Sequence, residues 1–166
     1  MRLFIGLLIN LLASPIFGST PIVYGKQATV LVFVASQCPC TDPHRKEIHS
    51  LTQQHTKPNI AFYAIFSNKK EARVSAERFM KQTEWSFPFV IDARGELVKK
   101  YGAKITPEVF LLNAKQEIVY RGAIDDSVPN LGQIKNPHLR TALTQLVNGK
   151  TIDPKSTSPY GCYIVR

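Results

Sequence analysis

Two continuous apolar runs constrain the fold of this chain more than any other feature. They cover residues 28–35 (ATVLVFVA) and 60–66 (IAFYAIF). Runs of this length, rich in Val, Ile and Phe, are typical of strands that are buried on both faces of a sheet. Shorter strands are predicted over residues 87–91, 109–112 and 117–120, the last two joined as a hairpin.

Segments with helical spacing alternate with these strands. Asp42 followed by Pro43 predicts a helix start, with the aspartate as the capping acceptor and the proline at the first helical position. Apolar residues at helical spacing predict three more helices, over residues 68–82, 96–101 and 137–147. This order of elements predicts an α/β fold with a central mixed sheet of about five strands and flanking helices.

Length and composition exclude several classes of protein. The chain has 166 residues, of which 44% are hydrophobic and 20% charged, so it suits one soluble domain with its own core. The formal net charge is +9, but the basic residues are scattered and no nucleic-acid motif is present. We therefore expect a solvated basic surface and no nucleic-acid partner.

The N-terminus has the pattern of a secretory signal peptide. Met1-Arg2 supplies a positive charge, residues 3–17 are almost entirely apolar, and small residues follow at 18–20. We expect a signal peptide over residues 1–19, an exported periplasmic or extracellular protein, and no stable membrane insertion, with an uncleaved anchor as the alternative. The mature chain then divides into a domain over residues 20–149 and a tail over residues 150–166 that carries Cys162.

The stretch Cys38-Pro39-Cys40-Thr41 lies where the first strand gives way to a helix. A helix N-terminus favours a thiolate, so a cysteine there is a candidate nucleophile. We expect this nucleophile to be Cys38, with its side chain pointing out at the helix tip. Cys40 is a less natural disulfide partner, because a bond between residues this close strains the backbone.

Three further features have alternative interpretations. Thr106-Pro107, just before a strand, is a candidate cis-proline turn. Cys162 could exchange with Cys38 or Cys40, or form a static disulfide or none. His44 could join the two early cysteines as a copper or zinc ligand, but its place on the inward stripe of the helix favours a core histidine. The sequence is therefore expected to hold no metal site.

Four separated elements resemble the thioredoxin superfamily and its redoxin branch, the peroxiredoxin-like (AhpC/TSA-type) secreted proteins. They are Cys38-Pro39, Thr106-Pro107-Glu108, the run at 120–126 (YRGAIDD) and Gly161-Cys162. The resemblance implies a thioredoxin-like three-layer sandwich. It also implies a thiol–disulfide oxidoreductase that needs no cofactor, uses protein or small-molecule thiols and disulfides, and depends on an external reductant.

The same resemblance assigns roles to single residues. Cys38 would attack, and Cys162 or Cys40 would resolve the intermediate. Pro107 would be cis beside Cys38, and Thr106 would offer its backbone to a substrate, with Pro39 and Thr41 as further substrate-binding residues. A thiol peroxidase and a non-catalytic copper-binding protein are the alternatives within the superfamily.

Overall fold

A five-stranded mixed sheet with helices on both faces forms the centre of the computed structural model, which describes residues 21–55, 59–127 and 134–166. The sheet order is β3-β2-β1-β5-β6, and a separate two-stranded sheet pairs β4 with β7. The strands are β1 Ala28–Val34, β2 Ile60–Phe66, β3 Phe89–Ile91, β4 Ile105–Thr106, β5 Glu108–Asn113, β6 Ile118–Gly122 and β7 Cys162–Tyr163. The helices are a 3₁₀ helix Pro39–His44, α1 Arg45–His55, α2 Arg73–Thr83, α3 Glu96–Tyr101 and α4 His138–Val147.

Strand β1 lies at the middle of the sheet and every one of its residues is buried. It runs parallel to β2 and antiparallel to β5. Because side chains alternate along a strand, Val30 and Val32 face the core beneath α1, α2 and α4, whereas Leu31 and Phe33 face the core beneath α3. The α/β class, the mixed sheet of five strands and the β5–β6 hairpin expected from the sequence are confirmed.

Two predicted helix starts are wrong. Asp42 does not cap a helix, because the chain already turns at Cys38, whose carbonyl accepts the N–H of Thr41 at 3.3 Å. Asp42 instead lies exposed within the 3₁₀ helix, 3.6 Å from the guanidinium of Arg45. Helix α2 begins at Arg73 rather than at residue 68, because the chain first makes a turn in which the N–H of Glu71 donates to the carbonyl of Asn68 at 3.0 Å.

The tail is more ordered than its sequence predicts. Residues 150–166 give no periodic pattern, yet they contribute β7 and a bridge between Ser156 and Arg121. The predicted signal peptide over residues 1–19 lies outside the described residues. Within the described ranges, no helix is both long and apolar enough to cross a membrane.

Candidate active site

Cys38 lies directly beyond the C-terminal end of β1. Its N–H donates to the carbonyl of Ala35 at 3.1 Å, which turns the chain out of the sheet, and the 3₁₀ helix begins at the next residue. Only 7% of Cys38 is exposed. The expectation that its side chain points out at a helix tip is therefore wrong, because other parts of the chain cover it.

Strand β4 forms one part of that cover. The Thr106–Pro107 peptide bond is cis, as the sequence predicts, and the carbonyl oxygen of Thr106 lies 3.1 Å from the Sγ of Cys38. The buried carboxylate of Glu108 holds this turn in place. One of its oxygens accepts the N–H groups of Lys104 and Ile105 at 2.8 and 3.3 Å, and the other lies 3.0 Å from the guanidinium of Arg121.

The C-terminal tail forms the other part. Strand β7 pairs antiparallel with β4, with Thr106 opposite Cys162. Gly161 makes this approach possible, since a Cβ atom there would lie 2.1 Å from the carbonyl oxygen of Thr106. Beyond β7, the N–H of Ile164 donates to the carbonyl of Lys104 at 2.9 Å. The tail thus lies across the mouth of the site.

Arg166 fastens the far end of the tail. Its guanidinium donates to three backbone carbonyls, those of Ser67, Asp92 and Ala93, at 2.6, 2.9 and 2.9 Å. Gly95 leaves room for this group, because a Cβ there would lie 2.6 Å from the guanidinium carbon. A planar donor with several N–H groups suits a cluster of carbonyls that point the same way.

The tail brings all three cysteines together. The Sγ of Cys162 lies 2.6 Å from that of Cys38 and 4.0 Å from that of Cys40, and all three sulfurs lie within 4.8 Å of one another. None of the three is joined in a disulfide in this structure. Cys38 is buried, whereas Cys40 and Cys162 are half-buried. The site is therefore a cluster of three thiols with one protected member.

The cluster divides the three thiols by acidity. Burial raises the pKa of Cys38, but hydrogen bonds from Cys162, Thr106 and the backbone outweigh it, and the net pKa lies below that of an ordinary thiol. Burial raises the pKa of Cys40, and the charge of Cys38 adds to it. Burial, together with the hydrogen bond to Cys38, raises the pKa of Cys162 to about 12. Cys38 is therefore the thiol that ionises first.

His44 does not belong to this cluster. Its Nδ1 lies 2.7 Å from the Oδ1 of Asp125, and both side chains are buried. This is the core histidine that its position on the inward stripe favours. A soft metal ion would meet sulfur donors here and not an imidazole.

The other expected substrate-binding residues differ in their exposure. Pro39 is exposed, Pro107 is buried, and Thr41 is fully buried with no hydrogen-bond partner for its hydroxyl in the described part of the chain. Thr106 is buried, and its strand is already paired with β7. A substrate therefore reaches Thr41 or the backbone of Thr106 only if the covering residues move.

A cleft of about 220 Å³ offers another approach to Cys38. The 3₁₀ helix and α2 form its walls, and the guanidinium-bearing Arg45 and the ring of Phe79 are among its lining residues. The cleft does not involve the tail.

Sequence reasoning missed the residues that close the site. Arg166 lies in a segment without periodicity, whereas Glu108 and Gly161 are recognised in the sequence only as members of motifs. A buried charged residue next to a cis-proline is a usable signal, because it must have partners. The anchoring of Arg166 depends on carbonyls from two distant turns and leaves no trace in the local sequence.

Comparison with known proteins places these features in a family. The Redoxin family profile matches residues 21–135. The sporulation thiol-disulfide oxidoreductase A of Bacillus subtilis is 32% identical over 93 residues, which are 55% of this chain and 56% of that protein. The thiol-disulfide oxidoreductase ResA of Halalkalibacterium halodurans is 28% identical over 89 residues, which are 54% of this chain and 49% of that protein. The chain spans about half the length of the curated relatives it matches.

Among solved structures, an uncharacterized conserved protein from Geobacillus kaustophilus is similar over 87% of this chain and 79% of its own. The TM-score is 0.80 and the sequence identity 28%. The structural similarity and the family profile therefore both cover most of the chain, and the profile includes Cys38 and Thr106-Pro107. This chain belongs to the Redoxin family.

Proposed function

We propose that this chain is a thiol–disulfide oxidoreductase in which Cys38 is the attacking thiolate and Cys162 the resolving thiol. The observation that carries the proposal is the 2.6 Å distance between their sulfur atoms. A disulfide bond is about 2.05 Å long, so only a small movement separates this pair from a bond. The two relatives named thiol-disulfide oxidoreductases support the same class of reaction.

The reaction is two thiol–disulfide exchanges in sequence. The Cys38 thiolate attacks one sulfur of a substrate disulfide, the substrate S–S bond breaks, and one substrate thiolate leaves. Cys162 then gives up its proton and attacks the Cys38 sulfur, which releases the second substrate thiolate and forms the Cys38–Cys162 disulfide. The substrate has gained two electrons and the protein has lost two. An external dithiol returns the protein to its starting state.

The acidities of the two thiols fit this order. The pKa of Cys38 lies below the ordinary range, so Cys38 supplies thiolate while its neighbours are still protonated. The pKa of Cys162 is raised to about 12, which keeps it a hydrogen-bond donor to the Cys38 thiolate until the mixed disulfide removes that negative charge. The resolving thiol is thus activated by the first step itself.

The proposed substrates are protein or small-molecule thiols and disulfides. They approach Cys38 through the cleft beside Arg45, or at the β4 edge after the tail shifts. Peroxide is the alternative oxidant, which would convert Cys38 to a sulfenic acid before Cys162 resolves it to the same disulfide. Dimedone labelling of Cys38 in the Cys162→Ser variant distinguishes the two oxidants.

The experiment that tests the proposal compares matched cysteine variants. Insulin and a small disulfide are incubated with wild type, Cys38→Ser and Cys162→Ser in the presence of dithiothreitol. We expect Cys38→Ser to be inactive. Reduced Cys162→Ser, mixed with the same disulfides after dithiothreitol has been removed, should form a mixed disulfide with the substrate, seen by mass spectrometry. A Cys38→Ser variant that reduces both substrates at the wild-type rate would overturn the proposal.

We also propose that the protein acts after export. The support is the charged, apolar and small-residue pattern of residues 1–20 together with three cysteines that suit an oxidising compartment. Expression of the full chain in a bacterial host, with the intact mass measured in each cell fraction, tests this. A cytoplasmic product that retains Met1 would contradict it.

A further inference from the structure

Cys162 has two sulfur neighbours rather than one. Its Sγ lies 2.6 Å from Cys38 and 4.0 Å from Cys40. Cys40 has no role in the exchange described so far, and neither a Cys-Pro dipeptide nor a resolving tail requires it. A thiol held beside the disulfide that the reaction forms is placed to attack that disulfide.

We propose that Cys40 replaces Cys38 as the disulfide partner of Cys162, so that the stable oxidised form contains a Cys40–Cys162 disulfide and a free Cys38 thiol. This inference rests on the proposed function, because the Cys38–Cys162 disulfide must form first. Cys40 gives its proton to solvent and attacks the Sγ of Cys162. The Cys40–Cys162 bond forms, the Cys38–Cys162 bond breaks, and its electron pair leaves on Cys38. The number of disulfides stays the same and no further oxidant is required.

The step joins the two less buried thiols. All three sulfurs lie within 4.8 Å of one another, and for an in-line attack the Cys40 sulfur must move to the side of Cys162 that faces away from Cys38. Cys40 and Cys162 are half-buried, whereas Cys38 is buried, so the disulfide that remains joins the two more accessible cysteines.

One further observation favours this exchange. An external reductant meets the half-exposed Cys40 more easily than the buried Cys38.

The exchange has a functional consequence for the site. It transfers the oxidised bond from the enclosed thiol to the accessible one, so that substrate and reductant are handled by different cysteines. Cys38 returns to the thiolate state before the reductant arrives. Cys40 becomes the residue that the external reductant attacks when it reduces the protein.

The test uses the fact that three thiols with one disulfide leave one thiol free. Wild type is oxidised with one equivalent of a small disulfide, and the free thiol is then blocked with N-ethylmaleimide in mildly acidic buffer, where exchange is slow. Cys38 and Cys40 share a peptide, but fragmentation at the bond before Pro39 separates them. We expect the label on Cys38 and a cross-link between Cys40 and Cys162.

Variants separate this inference from the proposed function. Cys40→Ser should retain the Cys38–Cys162 cross-link. Dithiothreitol should reduce this disulfide about tenfold more slowly than the disulfide of wild type, because the buried sulfur of Cys38 stays in the bond. Circular dichroism confirms that the variant is folded. A label on Cys40 with a Cys38–Cys162 cross-link in oxidised wild type would overturn the inference and leave the proposed function intact. Failure of any intramolecular disulfide to form would overturn both.

Discussion

Thr106 and Cys162 are direct partners across the β4–β7 pair, and the hydroxyl of Thr106 donates to the carbonyl of Cys162 at 3.4 Å. The family resemblance assigns the backbone of Thr106 to an incoming substrate. In this chain its own tail occupies that edge. The tail thus brings Cys162 next to Cys38 and also covers the edge that the resemblance assigns to substrates.

Substitution of Gly161 should separate the two strands. A Cβ at this position would lie 2.1 Å from the carbonyl oxygen of Thr106, so Gly161→Ala must push β7 away from β4. We expect a loss of about 1–3 kcal/mol in the free energy of unfolding and slower formation of the Cys38–Cys162 disulfide. Chemical denaturation and quenched-flow alkylation measure the two effects.

The control for this substitution is Ser158→Ala, which changes an exposed residue of the same tail. It should leave both measurements close to wild type. If Gly161→Ala formed the disulfide at the wild-type rate, the approach of β7 to β4 would not govern the distance between the sulfurs.

Removal of the Arg166 guanidinium should loosen the tail. Arg166→Ala deletes three hydrogen bonds to backbone carbonyls, so the N–H groups of residues 164 and 165 should exchange with deuterium faster. Cys38 should then react with iodoacetamide several-fold faster, because its cover opens more often. Arg94→Ala is the control, since Arg94 is a surface arginine with an exposed partner, Glu96. Equal alkylation rates in the two variants would contradict the anchoring role.

The ionisation of Cys38 should depend on Cys162. The folded pKa of Cys38 is lowered, so its thiolate should be present at pH values where an ordinary thiol is still protonated, and should be lost as the pH falls through that lowered value. Cys162→Ala removes a hydrogen-bond donor to this thiolate, and the midpoint should move to higher pH. The pH dependence of the Cys38 alkylation rate measures it. An unchanged midpoint in Cys162→Ala would show that other groups set the acidity.

Asp125 should stabilise the fold beneath the thiols. Burial raises the pKa of this carboxyl, but the hydrogen bond and charge of His44 and the hydrogen bonds of Ser127 outweigh it and lower the pKa overall. The contribution of ionised Asp125 to the free energy of unfolding is therefore present at pH values above the unfolded pKa of aspartate. It is lost as the pH falls through the lowered pKa of the folded state. Asp125→Ala should cost about 1–3 kcal/mol, since it leaves the buried Nδ1 of His44 without its hydrogen-bond partner.

Acid unfolding provides the readout for Asp125. The Asp125→Ala variant should lose less stability than wild type on acidification, because one carboxyl with a lowered pKa is gone. Glu77→Ala is the control, because Glu77 is an exposed carboxylate whose partner, Arg73, is also exposed. Parallel acid-unfolding profiles for wild type and Asp125→Ala would refute the role given to the pair.

The central strands could be predicted because their physics is local. Strands β1 and β2 are buried on both faces, so each appears in the sequence as an unbroken apolar run that predicts a strand. The hairpin of β5 and β6 follows from two short apolar segments joined by a polar turn. Strands β4 and β7 have two residues each, which is too short to display a period of two.

The site was predictable only in part for a related reason. A cysteine at the end of a strand predicts an acidic thiol, but the enclosure of Cys38 follows from a tail that returns across the whole domain. Asp42 does not cap a helix, because the chain already turns at Cys38, before Asp42 is reached. Interactions such as Arg166 with the carbonyls of Ser67 and Asp92 join segments that are distant in sequence, and residue spacing does not report them.

The sequence separation of the two closest sulfurs has a thermodynamic consequence. Cys38 and Cys162 are 124 positions apart, so a bond between them ties most of the chain into a single ring. In the chain-entropy account, closing a ring of this size removes about 5 kcal/mol of conformational freedom from the unfolded chain. Each turnover would then alternate the protein between a tethered and an open-chain form of different melting temperature, and an unfolding scan alone could report its redox state.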